Sequence, residues 1–153
     1  MPEGALPEGT LRLGHRTLRP GELAVMAVLT GPALAQLRAA VRDGADIVEV
    51  AGGSGADVLA ALRDSFPDLL IGVSHGPATV AIGTAVLGPP VLVTLPGDDL
   101  AGSLATAAVA AWGGARVFRV SQPGWVRATR RALRMVSAIR GDIPPAYAVR
   151  GLA

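Results

Sequence analysis

The chain has 153 residues, half of them hydrophobic but only 3% aromatic, which suits a single domain with an aliphatic core. Its 14 basic residues are all arginine, set against 12 acids for a net charge of +2, and lysine, asparagine and cysteine are absent. Those absences exclude lysine ammonium chemistry, asparagine carboxamide ligands, disulfides, thiolate nucleophiles and cysteine-held metals.

Residues 1–9 repeat Pro-Glu-Gly and read as a flexible tail. They carry acids and no apolar h-region, so no signal peptide is expected and the location implied is cytoplasmic. Residues 10–141 read as one domain and 142–153 as a second tail. Residues 11–18, LRLGHRTL, predict a short β-hairpin turning at Gly14 and His15. Five strand-then-helix units follow. Strands are expected at 23–29, 46–50, 69–73, 90–95 and 116–120. The helices are expected at 32–42, from the Gly52–Gly55 run to about residue 65, at 77–87, at 99–112 and up to Gly141. Near-continuous apolar strands alternating with helices imply an α/β protein with a parallel sheet of five strands.

Residues 69–97 form an uncharged run of 29. Ser74, His75, Gly76, Pro77, Gly88, Pro89 and Pro90 cut it into pieces too short to cross a bilayer, so no membrane association is expected. Helices at 77–87 and 99–112 would then be apolar all round and buried on both sides, with a second subunit as the outer cover. The last unit concentrates charge: residues 114–153 hold eight arginines and one acid, while residues 1–113 hold six arginines and eleven acids. Its helix shows one apolar stripe (Trp125, Ala128, Ala132, Val136, Ile139) and an opposite arginine face (Arg127, Arg130, Arg131, Arg134) that is either solvated or docks an acidic partner. With few aromatics and no basic patch beyond this helix, no nucleic-acid partner is expected.

Three segments resemble dihydropteroate synthases. LRLGHRTLRPGELAVMAVLT is similar to that family's entry hairpin and first strand. GADIVEVAGGS is similar to its GADIIDVGGES motif without a gap, and ARVFRVSQPGWVRATRRALRMVSAIRG to its last strand and helix. The resemblance implies a truncated (β/α)8 barrel about three units short of the family's roughly 200 or more residues. It also implies a pterin pyrophosphate and p-aminobenzoate as ligands of the strand ends, with Mg2+ entering through the resemblance alone and no other cofactor.

Carried over residue by residue, the site is degenerate. Thr30 and Gly31 stand where the family has Asn-Val-Thr-Pro-Asp-Ser-Phe. Glu49 stands for an Asp and Ser54 for the motif Ser, while Gly55 and Ala56 replace Thr-Arg. Ser74 and His75 replace the Asp-Thr of the third strand, Thr94 replaces an Asn, and Ser121 and Gln122 replace His-Asp. Arg119 matches the final substrate-contacting Arg. The implied ligand-binding set is Arg119, Ser121, Glu49, Ser54, Ser74 and Thr94, with Gly52, Gly53 and Arg119 for an anion, no catalytic residue and no metal ligand.

Each residue also has a plainer reading. Arg119 either binds an anion or pairs with Glu49 or Asp98. The Gly52–Gly55 run is either an amide nest or a tight turn. His75 is a general base or a loop histidine, and Asp98 and Asp99 cap a helix or ligate a metal. GVSHG is alternatively similar to the family's Ser-Arg-Lys strand, with Gly76 in place of the Lys. An unmatched buried pterin donor or acceptor costs about 1–3 kcal/mol, so losing Asp, Asn and Lys together forfeits more than the roughly 8 kcal/mol of a micromolar ligand. The expectation is therefore a synthase-like protein without synthase activity that retains weak pterin or phosphate binding. The alternatives are a regulatory or structural subunit, homodimeric or paired with a full-length synthase, and a small pterin-dependent transferase on a similar barrel.

Overall fold

The computed structural model describes residues 6–30, 34–51, 56–76, 79–83, 85–88 and 91–142. Both predicted tails therefore lie mostly outside the described residues. The entry hairpin is present: β1 (Leu11–Leu13) and β2 (Arg16–Leu18) pair antiparallel, and Gly14 takes φ +56° in the turn beside His15. Next come β3 (Ala24–Thr30), α1 (Leu34–Arg42), β4 (Ile47–Ala51), α2 (Ala56–Ser65), β5 (Leu70–Gly76), β6 (Thr79–Ile82), β7 (Ala85–Leu87) and β8 (Leu92–Thr94). The chain closes with α3 (Leu100–Trp112), β9 (Val117–Val120), a 3-10 turn (Pro123–Trp125) and α4 (Val126–Arg140).

The main sheet has seven strands in the order β7-β6-β5-β4-β3-β9-β8. It curls nearly into a barrel with the helices outside. Five strands, β5-β4-β3-β9-β8, are parallel as expected. The other two correct the sequence reading: the span expected to be a helix at 77–87 is the antiparallel hairpin β6–β7 on the edge of β5. Thr79-Val80-Ala81-Ile82 alternates half-buried and buried positions with a period of two, and Gly83 reverses the chain at φ +58°. The β-branched residues and the glycine between two short apolar runs outweigh the helix-forming alanines there.

Strand alternation sorts the core into two layers. Val25, Ala27, Leu29, Val48, Val50, Phe118 and Val120 face the helices, against Leu37 of α1, Leu62 of α2, Ala107 of α3 and Leu133 of α4. Ala24, Met26, Ile47, Leu70, Leu92 and Val117 face the interior, with Val80 and Ile82. Leu13 and Leu18 of the hairpin pack into this second layer and plug its amino-terminal end, each contributing about 1.5–3 kcal/mol of hydrophobic burial.

Guanidinium clamps hold plug and helices to the sheet. Arg116 donates to the carbonyls of Gly9, Arg19 and Glu22 at 2.6–2.8 Å, and burial lowers its pKa against the raising effect of Glu22. Arg130 of α4 donates to Gly44 O and Leu23 O at 3.1 Å each and to the carboxylate of Asp46. Asp46 also accepts from the Val25 amide (2.9 Å) and pairs with Arg16 of the hairpin (3.0 Å). Arg127 pairs with Asp43 at 2.8 Å.

The helix faces differ from the sequence reading. The buried stripe of α4 is Val126, Thr129, Leu133, Val136 and Ser137, and Ile139 lies exposed. The arginine face is thus only partly solvated, because Arg127 and Arg130 turn toward Asp43 and Asp46 in the loop between α1 and β4. The uncharged α3 buries Ser103, Ala107 and Ala111 within the chain, while Val109 and Trp112 on its outer side are 74% and 63% exposed in the single subunit.

Candidate functional site

At the carboxyl ends of the strands the interior layer turns polar. Val48 and Val50 point to the helices, so alternation sends Glu49 inward, and its side chain is fully buried. Arg119 on β9 faces the same way, since Phe118 and Val120 belong to the helix layer. One strand, β3, separates them: Glu49 sits beside Val28 and Arg119 beside Met26 in the ladder. The guanidinium reaches over β3 to make a bidentate pair, Nε to Oε2 at 2.5 Å and Nη2 to Oε1 at 2.9 Å. From the other side of β4, the hydroxyl of Ser74 donates to Oε1 of the same carboxylate. Thr94 on β8 is in register with Arg119, and its buried Oγ1 has no hydrogen-bond partner.

Two alternatives open in the sequence resolve here. Arg119 pairs with Glu49 rather than Asp98. The hydrogen bonds Arg119 donates to Glu49 raise its pKa above the ordinary guanidinium value, and the Coulombic attraction of the carboxylate adds to this against the opposing effect of burial. Asp99 caps α3, with Oδ1 accepting from Ala101 N at 3.2 Å and Oδ2 from Gly102 N at 2.7 Å. A Cβ at Gly102 would stand 2.6 Å from Asp99 Oδ2, so a larger residue there would shift the capping carboxylate. Among the described residues, the chain's own carboxylates thus occupy two anion-attracting features of this face, the Arg119 guanidinium and the start of α3.

Of the implied ligand set, Glu49, Arg119, Ser74 and Thr94 converge on one interior layer. Ser121 is exposed on the loop after β9, beside Gly97, and Gln122 donates to Gly97 O at 3.3 Å. Gly52, Gly53, Ser54 and the side chain of His75 lie outside the described residues.

The residues present do not fit Mg2+. Both oxygens of Glu49 are taken by Arg119 and Ser74, and the described residues contain no group of three His, Asp or Glu side chains able to hold a metal ion. No described helix is long and apolar enough to cross a membrane.

Sequence reasoning missed the cluster at the opposite end of the sheet. There Arg16, Asp46 and Arg130 meet, although Asp46 opens the GADIVEV motif and Arg130 lies in the arginine-rich helix. The only signal was an acid directly before a buried strand, which needs a cation from elsewhere in the chain.

A curled sheet with external helices and polar groups at the carboxyl ends of its strands defines a TIM-barrel-like α/β protein. Within that class the fold is dihydropteroate-synthase-like. The model superposes on Mycobacterium tuberculosis Rv1207 with a TM-score of 0.65 at 22% identity, across 88% of this chain and 100% of that one. It superposes on the dihydropteroate synthase of Yersinia pestis with a TM-score of 0.61 at 16% identity, across 87% and 99%. In sequence the chain is similar to the inactive dihydropteroate synthase 2 of Mycobacterium tuberculosis, 54% identical over 56 residues, which is 37% of this chain and 17% of that protein. The Mycobacterium leprae protein of the same name is 44% identical over 79 residues, 43% of this chain and 26% of its own length. The chain therefore spans about a sixth to a quarter of the curated relatives it matches. No family model matches it.

Proposed function

We propose that this chain is a non-catalytic, dihydropteroate-synthase-like protein acting as a structural or regulatory subunit. The observation that carries the reading is the bidentate Glu49–Arg119 pair: the one substrate-contacting cation implied by the family resemblance is consumed inside the protein. Expulsion of pyrophosphate needs cationic or metal stabilisation of the leaving group. Arg119 is neutralised, the start of α3 is capped by Asp99, and the Glu49 oxygens are closed to a metal. The similarity to proteins named inactive dihydropteroate synthase supports the same reading.

A role in assembly is supported by the outer face of α3 and α4. Val109 and Trp112 on α3 and Met135 and Ile139 on α4 are 63–74% exposed, and Arg140 donating to Ala111 O at 2.8 Å brings the two helix ends together. Large exposed apolar side chains gathered this way mark interaction surfaces. The uncharged α3 meets a second copy of itself without charge repulsion, so the favoured assembly is a homodimer.

The test is calorimetry with a dihydropterin beside a pyrophosphate-release assay and light scattering. The expected results are no release, no saturable pterin binding and a dimer mass at micromolar concentration. Pterin-dependent pyrophosphate release, or pterin binding abolished by Arg119→Ala, overturns the loss of function. A monomer mass overturns the homodimer.

A further inference from the structure

The loss of the strand-end site leaves unused a recess of about 270 Å³ at the opposite, amino-terminal end of the sheet. Arg16 and Leu18 of β2 line one side, and Arg130, Leu133, Arg134 and Ser137 of α4 the other, with Glu22 and Asp46 between them. Residues 130, 134 and 137 are spaced i, i+4, i+7, so they form one ridge of the helix along the recess.

The charges there are unequally matched. Asp46 is saturated: Oδ2 takes the Val25 amide and Arg130, and Oδ1 takes Arg16. Each nitrogen of Arg130 is engaged as well, Nε with Gly44 O, Nη1 with Leu23 O and Nη2 with Asp46. Glu22 accepts from the Arg19 amide at 2.7 Å, and Asp142, which lies against Gly21, is paired with Arg140 at 3.2 Å. Arg134 has no carboxylate partner among the described residues, and Arg16 spends one nitrogen on Asp46 while 42% exposed. Three guanidiniums therefore face two carboxylates, Asp46 paired with two of them and Glu22 holding a backbone amide, which leaves one cation in excess with the Ser137 side chain beside it.

The geometry points to this recess as a binding site for a phosphate group, with Arg134 and the spare donors of Arg16 as its ligands. Guanidinium presents a planar fork of N–H donors that matches a phosphate's oxygens, and here two of them line one recess from separate elements, β2 and α4. The leucine wall beside them leaves room for the small organic stem of a phosphate monoester. This site shares no residue with the Glu49–Arg119 layer.

The experiment titrates inorganic phosphate, and separately glycerol 3-phosphate, against the full chain at matched chloride ionic strength. Thermal unfolding and calorimetry are the readouts. Phosphate at a hundredfold excess over its Kd raises the Tm by about 5–10 °C. Arg134→Gln weakens binding at least tenfold without changing the phosphate-free Tm, whereas Arg131→Gln and the double variant Glu49→Leu/Arg119→Met leave the affinity unchanged. Tighter binding of glycerol 3-phosphate than of inorganic phosphate identifies the monoester as the natural class, and equal affinity identifies the free anion. No saturable response to either ligand over chloride overturns the inference and leaves the proposed loss of catalysis standing. Binding that survives Arg134→Gln but disappears in the stably folded Glu49→Leu/Arg119→Met overturns both.

Discussion

The Glu49–Arg119 pair makes a quantitative prediction. With a guanidinium and a carboxylate about 3 Å apart and an effective dielectric near 20, the attraction is about 5 kcal/mol. Taking the fully buried Glu49 and the 17%-exposed Arg119 out of water offsets most of that, since each buried ion loses several kcal/mol of hydration. Removing the cation alone strands a buried carboxylate, so Arg119→Met is expected to destabilise the protein by about 3–5 kcal/mol. In a chain of this size that lowers the Tm by about 6–20 °C. Replacing both partners, in Glu49→Leu/Arg119→Met, restores stability to within about 1.5 kcal/mol of the parent, because no charge is left in the interior. Urea denaturation of the parent, both single variants and the double variant, read as a double-mutant cycle, measures the coupling. Single variants that cost less than about 1 kcal/mol, or a double variant equal to the sum of the singles, refute the reasoning. The raised Arg119 pKa has a definite sign: its stabilising contribution is fully present below the ordinary guanidinium pKa and is lost only as pH rises through the still higher folded value. Alkaline titration across pH 7–10 therefore leaves this contribution unchanged.

Three further outcomes follow from other parts of the structure. Asp46→Ala strands Arg130 and the Val25 amide and frees Arg16, and is expected to cost about 3 kcal/mol by chemical denaturation. Gly72→Ala places a Cβ 3.0 Å from Val80 Cγ1 and 3.4 Å from Ile82 Cγ1, where β6 packs into the interior; the overpacking costs about 1–3 kcal/mol, read as a fall in the denaturation midpoint. Val109→Arg on the exposed face of α3 leaves monomer stability within about 0.5 kcal/mol but halves the mass seen by light scattering, and an unchanged dimer mass excludes that face as the interface.

Much of the architecture was legible because it rests on local chemistry. The Gly14–His15 turn, the five apolar strands and the Gly141 stop, at φ +81°, each follow from residues within a few positions of one another. The β6–β7 hairpin was legible in principle, from two short β-branched runs about a glycine, but alanine and leucine at helical spacing masked it. The stripe on α4 was read one residue out of phase at several positions. Val126 and Leu133 are buried, not Ala128 and Ile139, because α4 packs against both β3 and α3 and its orientation is set by the two together.

By itself the sequence determined the α/β class, the opposition of Glu49 and Arg119 to their strand neighbours through alternation, and the lack of asparagine and lysine at the strand-end site. Only the tertiary structure decided what those two residues do. Glu49 and Arg119 lie 70 positions apart, and nothing in either segment states that β9 inserts beside β3 and brings the guanidinium over to β4. The same holds for Arg16, Asp46 and Arg130, which three distant segments deliver to one end of the sheet. Whether an arginine serves a ligand or a neighbouring carboxylate depends on which carboxylate the fold places within 3 Å, and that distance is a property of strand order rather than of any motif.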